Sequence, residues 1–163
     1  ALADKISRAE GRSWTDHAFF MGASAENADD LAELERVPGC CGVKMFMGSS
    51  TGNLLVPDDE TVRRVLSNGT RRMSVHSEDE YRLNERKGER VEGDPSSHPV
   101  WRDEETAIRS TRRLLSIARE TGRRVHVLHI TTADEVEILA QYKDVATCEV
   151  TPQHLTLAAP DCY

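Results

Sequence analysis

Three polar side chains stand where an apolar run gives way to a turn: Lys44 in GVKMFM, His76 in MSVHSE and His129 in HVLHIT. In parallel α/β folds the C-terminal ends of the strands carry the active site. Imidazole is a common ligand for zinc and related divalent metals. A lysine among apolar neighbours is costly as a cation and tends to give up its proton. The neutral amine can combine with CO2 to form a carbamate, a carboxylate-like group able to bridge metals. Taken singly, each residue has an ordinary reading, a core histidine or an edge lysine. Placed alike on three successive segments, they also read as one metal-linked set. Spacing alone leaves both readings open.

The other polar candidates carry less. His126 precedes His129 by three positions, so strand alternation predicts that it faces the opposite side, against a covering helix. His17 begins an apolar run, the wrong end for a site, and reads as structural. His98, in SSHPVW, reads as a loop residue, and His154, in TPQHL, as lining a pocket mouth or simply packing. Cys40, Cys41 and Cys148 fall in strands and are expected to be buried thiols; Cys162 is given no role. Glu78, Asp79 and Glu80 read as a solvated acidic turn, and Met45, Phe46 and Met47 as core. The segment GSSTGN (48–53) is either an ordinary loop or a mobile flap whose Ser49, Ser50 and Thr51 could bond a bound anion.

Positioning these residues requires strands and helices in alternation. Residues 1–11 read as the end of a helix, with Leu2, Ile6 and Ala9 on one face and Gly11 as its stop. HAFFMGAS (17–24), CCGVKMFMGSS (40–50), RRMSVHSEDE (71–80), RRVHVLHITT (123–132) and VATCEVTP (145–152) read as strands. Between them, 26–37 is a helix capped by Ser24, 56–69 a helix burying Val62, Val65 and Leu66, and 133–144 an amphipathic helix. Helix 104–121 buries Ile108, Leu114, Leu115 and Ala118 and closes at Gly122. Residues 81–104, charged and rich in Gly, Pro and Ser, read as a long surface excursion within a single domain over 1–163. The tail HLTLAAPDCY is ambiguous. Apolar strands alternating with helices predict a parallel sheet buried on both faces. An open doubly wound sheet and a (β/α)8 barrel both fit, and no GxGxxG or GxxxxGK[ST] favours the first.

Composition narrows the function classes. The chain has 163 residues, 21 Lys+Arg against 28 Asp+Glu, and a net charge of −7. Such a balance argues against nucleic-acid or anionic-membrane binding. No apolar run approaches the ~20 residues that span a bilayer. Four cysteines, two of them adjacent, do not make a disulfide scaffold. A reducing cytoplasm is the expected compartment.

At GVKMFMGSSTGNLLV (42–56), VHSEDE (75–80), HVLHITT (126–132) and CEVTPQHL (148–155), the sequence resembles dihydroorotase, of the amidohydrolase superfamily. The resemblance runs from about Asp16 onward. It implies an α/β fold, part of a TIM-type barrel covering about strands three to seven with their helices. It implies that Lys44, as a CO2-derived carbamate, bridges two divalent metal ions, zinc being the natural guess. Lys44 is then both metal ligand and catalytic residue. His76 and His129 are implied as ligands of the second metal, and Ser50 and Thr51 as substrate contacts. The implied reaction interconverts L-dihydroorotate and N-carbamoyl-L-aspartate in pyrimidine synthesis, by attack of a metal-bridged hydroxide on a polarised amide carbonyl. The implied partners are this small-molecule substrate, a second copy as a homodimer, or another pyrimidine-pathway enzyme. The alternatives are a hydantoinase, dihydropyrimidinase or allantoinase, and a noncatalytic scaffold relative. The family's strand-one His-x-His, strand-eight Asp, and carboxylate-binding Arg and Asn have no counterpart here. The chain is therefore expected to be the middle of a longer enzyme, inactive by itself.

Overall fold

The computed structural model describes residues 2–49 and 54–162. Helix α1 (Leu2–Ala9) leads into β1 (Phe19–Gly22), α2 (Leu31–Leu34), β2 (Cys40–Phe46), α3 (Asp59–Ser67) and β3 (Met73–His76). Then come α4 (Glu80–Arg86), α5 (His98–Trp101), α6 (Glu104–Thr121), β4 (Val125–Val127), α7 (Ala133–Ala140), β5 (Ala146–Cys148) and α8 (Pro152–Thr156). All five strands are parallel, in the order β1-β2-β3-β4-β5. That order resolves the choice the sequence left open. A doubly wound sheet reverses direction at a switch point. Here every crossover steps the same way, so crossovers of one hand leave all helices on one face. The chain is a section of barrel wall.

Sheet register shows how each strand divides its side chains. Lys44 pairs with Ser74, Ser74 with His126, and His126 with Thr147; one step on, Phe46 pairs with His76. Registered neighbours in a parallel sheet share a face. These residues therefore line the face away from the helices. The alternate residues Val43, Met45, Met73, Val75, Val125 and Val127 are fully buried and form the core with Val62, Val65 and Leu66 of α3 and Leu114, Leu115 and Ala118 of α6. The expectation of burial on both faces thus holds for the helix face and, on the other face, for Ser74 and His76 of β3, while Lys44 and His126 there are half-buried. The strands do alternate, with the polar residues on what would be a barrel interior.

Several local expectations are realised. Leu2, Ile6 and Ala9 are the less exposed positions of α1, and α6 spans the expected residues and closes at Gly122. Beyond those expectations, Asp58, Asp79 and Asp103 cap α3, α4 and α6 by accepting backbone N–H bonds of 2.8–3.1 Å. No helix among the described residues is long and apolar enough to cross a membrane.

Others are corrected. The helix expected over 26–37 shortens to a 3-10 turn and α2, and Ser24 is not its cap. Instead the Ser24 N–H donates to Asn27 Oδ1 (2.9 Å), while Asn27 Nδ2 donates to Gly22 O (2.9 Å). The amide side chain straps this loop to the end of β1 and competes with helix formation. The 81–104 segment is not bare loop but holds most of α4, α5 and two 3-10 turns. Arg86 pins it by donating twice to Val100 O (3.0 and 2.7 Å). Of the strand cysteines only Cys40 is buried; Cys41 and Cys148 are exposed. The tail begins with α8.

At the N-terminal end of the strands, Glu35 and Arg123 form a buried ion pair (2.9 Å), with side chains 1% and 3% exposed. Burial pushes the Glu35 carboxyl up, but N–H groups of Thr70 and Arg71 and the Arg123 charge outweigh it, and the net direction is down. Burial pulls the Arg123 guanidinium below its ordinary value, against the pull of Glu35; arginine nonetheless stays protonated in proteins. Gly69 (φ +97°) fits because a Cβ there would lie 2.6 Å from Glu35 Oε2. Removing one partner strands the other's charge in the core. Glu35→Ala in the full-length protein should lower unfolding free energy by about 3–5 kcal/mol, measured by denaturant titration. A depressed carboxyl stabilises above its unfolded pKa, so the wild type should lose this contribution as pH falls below about 4.5. A variant that matched wild type from neutrality down to that window would contradict this account.

Candidate metal-binding site at the strand ends

β2, β3 and the turn after β4 bring Lys44, His76 and His129 to one end of the sheet. Lys44 is half-buried, with Nζ 4.4 Å from the Phe46 ring centroid. Burial lowers its pKa to about 8, against a smaller upward pull from Glu149. Roughly a tenth of the amine is then neutral at pH 7, against about one part in a few thousand for an ordinary lysine. The neutral amine is the form that adds to CO2, giving a carbamate and releasing a proton. His76 ends β3 and is 8% exposed; its Nδ1 lies 3.0 Å from His129 Nε2, the rings meeting edge to face at 4.9 Å.

His129 reaches this position by leaving the strand. β4 ends at Val127, and His129 has φ +42°, left-handed and uncommon for a residue with a Cβ. Bonds on both sides hold the turn: Leu128 N–H to Val75 O (3.1 Å) and Ile130 N–H to Glu149 O (2.9 Å). The kink corrects the prediction for His126. That residue lies on the same face as Lys44 and His76, bonded to Thr147 Oγ1 (2.8 Å) and Glu149 Oε2 (3.2 Å), not against a helix. Burial, His76 and Lys44 all push the His129 pKa down, which favours the neutral imidazole that ligates metals.

Whether these groups suit a cation is tested by their unmet bonding. His76 Nε2 is buried and has no hydrogen-bond partner. Glu78 Oε2 approaches it at 2.7 Å, which sets a carboxylate beside this nitrogen. A buried nitrogen without a partner is costly unless something else occupies its lone pair. Two neighbouring imidazoles, a partly neutral lysine and a carboxyl suit a divalent metal. Among the described residues, no three His, Cys, Asp or Glu converge as a complete site.

The acidic turn expected to be solvated is built into the site. The Glu78 side chain is 16% exposed and is gripped by both Nε (2.9 Å) and Nη2 of Arg102. Burial raises its pKa, but His76 and Arg102 prevail and hold it at about 2. Arg102 Nη2 also donates to Ser49 O (2.9 Å), and Glu80 accepts the Ser49 N–H (2.6 Å). Asp79 is buried and paired with Arg113 (2.6 Å). The 80–102 segment therefore clamps the base of the hydroxyl-rich loop. Ser50 and Thr51 lie outside the described residues. Beside the clamp, a cavity of about 640 Å³ is lined by Ser49, Arg90, His98, Trp101 and Arg102, among others. It flanks the histidine pair and does not cover it. His98 packs edge-on to Trp101, His17 to Phe19, and His154 bonds Thr151 (2.8 Å), all away from the pair. Sequence reading missed Glu78 and Arg102. Glu78 shares strand parity with His76, a usable signal; Arg102 is distant in sequence and gives none.

No protein-family model matches the chain. An allantoinase from Streptomyces avermitilis is 32% identical over 173 residues, covering 98% of this chain and 37% of that protein. A dihydroorotase from Methanosarcina acetivorans is 28% identical over 175 residues, covering 99% and 37%. Its relatives are cyclic amidohydrolases. The chain spans little more than a third of their length. An L-hydantoinase (dihydropyrimidinase) from Arthrobacter aurescens superposes with a TM-score of 0.84 at 21% identity, over 99% of this chain and 38% of that one. At that identity the likeness is one of fold, and it agrees with a partial barrel.

Gly48 lets the loop after β2 approach Glu78 closely, since a Cβ there would lie 2.7 Å from Glu78 Cβ and O. Gly48→Ala should force backbone apart and cost about 1–3 kcal/mol. Gly88→Ala, with nothing within 4 Å of the added atom, should be neutral or gain up to about 1 kcal/mol. Denaturation of both variants in the full-length protein checks the contrast, and equal effects would refute the packing argument.

Proposed function

We propose that the complete protein is a metal-dependent cyclic amidohydrolase, and that this segment supplies Lys44, His76 and His129 to its binuclear centre. One observation carries the reading: the three groups share one end of the sheet, with the imidazole nitrogens 3.0 Å apart and His76 Nε2 unpartnered. Two divalent ions, zinc suiting the imidazole donors, would supply a nucleophile at neutral pH and a Lewis acid for the carbonyl. Lys44, carboxylated by CO2, would offer them an anionic ligand. His76 and His129 offer imidazole nitrogens. Glu78, neutralised by Arg102, keeps negative charge beside His76 without leaving a bare buried anion. Ser50 and Thr51, whose loop base is held by Arg102 and Glu80, contact the substrate.

The substrate pair we favour is L-dihydroorotate and N-carbamoyl-L-aspartate. Support comes from the TPQHL segment (151–155) and from relatives named dihydroorotase. A second reading, an allantoinase, rests on the higher identity of the allantoinase relative. The proposed setting is a cytoplasmic enzyme of pyrimidine synthesis, as a homodimer or joined to another enzyme of that route.

The test is a substrate panel on the purified full-length protein: dihydroorotate, hydantoin and allantoin. Preference for dihydroorotate is expected; preference for another ring amide would replace that assignment and keep the class. Lys44→Ala should strip bound metal and reduce turnover to background. Full activity in that variant would end the metal-site reading, and a wild type without metal or activity would point to a scaffold.

A further inference from the structure

A buried carboxyl outside the site has bonds on both sides of it. Glu135, in the first turn of α7, is 2% exposed. Its partners are hydroxyls and backbone N–H, with no cationic partner among the described residues. Thr111 of α6 donates to Oε1 (2.8 Å), and Thr132 donates to Oε2 (3.1 Å) while accepting the Glu135 N–H (3.1 Å). Thr131 N–H reaches Oε2 at 3.4 Å. Thr132 and Glu135 thus form a variant of the T-x-x-E capping box. An ordinary capping box can sit at the surface. This one is buried and continues into α6, and a buried polar group is kept only where its bonds are met.

The continuation reaches the other histidine. Thr111 Oγ1 lies 3.1 Å from Oγ of Ser77, the residue after His76; because the Thr111 proton goes to Glu135, Ser77 is the donor across this contact, which shares that hydroxyl with Ser110 Oγ at 3.0 Å. On the other side, Thr131 and Thr132 follow His129 by two and three positions. One chain, Ser77–Thr111–Glu135–Thr132, therefore joins the two turns that present the imidazoles. A left-handed non-glycine residue persists only where its surroundings over-determine it, at a cost of about 1–3 kcal/mol.

We infer that Glu135 is a positioning residue: with Thr111 it holds the left-handed His129 turn against the His76 turn and so sets the distance between the two imidazoles. The consequence for metal rests on the reading proposed above, and the test separates the two. The full-length protein is compared with Glu135→Gln, Thr111→Val, Thr111→Ser and His129→Ala. Three readouts are taken: zinc affinity by chelator competition, the 15N-histidine correlation spectrum of the zinc-free protein, and Tm. Glu135→Gln and Thr111→Val should weaken zinc about 10-fold or more and shift the His76 and His129 imidazole resonances. Thr111→Ser, which keeps the hydroxyl, should restore both. A lower Tm with unchanged zinc affinity and unchanged resonances would overturn the inference, leaving Glu135 a helix cap. If Glu135→Gln does not fold, the Thr111 pair decides. If His129→Ala binds zinc as wild type does, the metal reading fails, and the zinc-free resonances still judge the positioning role.

Discussion

The constraint on which the rest depends is that every strand-to-strand crossover runs in the same direction. Parallel strands joined by crossovers of one hand place all their helices on one side. The period of two then divides each strand: Val43, Met45, Met73 and Val75 go to the helices, Lys44, Ser74 and His76 to the opposite face. The first set is what the strands contribute to the core, which the helices complete. The second set is free to be polar because, among the described residues, the helices pack on the opposite face. That freedom lets a lysine and two histidines occupy adjacent strand ends without disrupting the helix-packed core.

Holding such groups still needs bonds from outside the sheet. The segment between β3 and α6 provides them. Arg102 satisfies Glu78 and Ser49 O at once, and Glu80 meets the Ser49 N–H. Arg82 and Asp103 pin the start of α6 to the same segment. What composition presents as a charged, turn-rich loop is a framework whose charges face one another and the site. Charges paired under partial burial contribute more than they would in water, because screening is weaker there.

The site departs from regular geometry at one residue. An ideal strand would send His126 and His129 to opposite faces. The structure ends the strand at Val127 and turns at His129, so both histidines reach the same side at different depths. His126 bonds Thr147 and Glu149 lower on the sheet, while His129 meets His76 at its edge. Strain at a non-glycine left-handed residue is the kind found where function requires a particular placement.

The sequence by itself determined the alternation of strands and helices, the parallel class and the placing of Lys44, His76 and His129 near the ends of their strands. Those depend on local signals: apolar strands alternating with amphipathic helices, and polar residues at the ends of apolar runs. Tertiary structure alone decided between open sheet and barrel wall, since strand order is a non-local choice among crossovers of equal length. It also decided that Glu78 is buried, that Arg102 is its partner, and that His129 turns toward His76. Each of those depends on a contact between residues far apart in the chain, or on a backbone angle set by such contacts. Local patterning predicts neither.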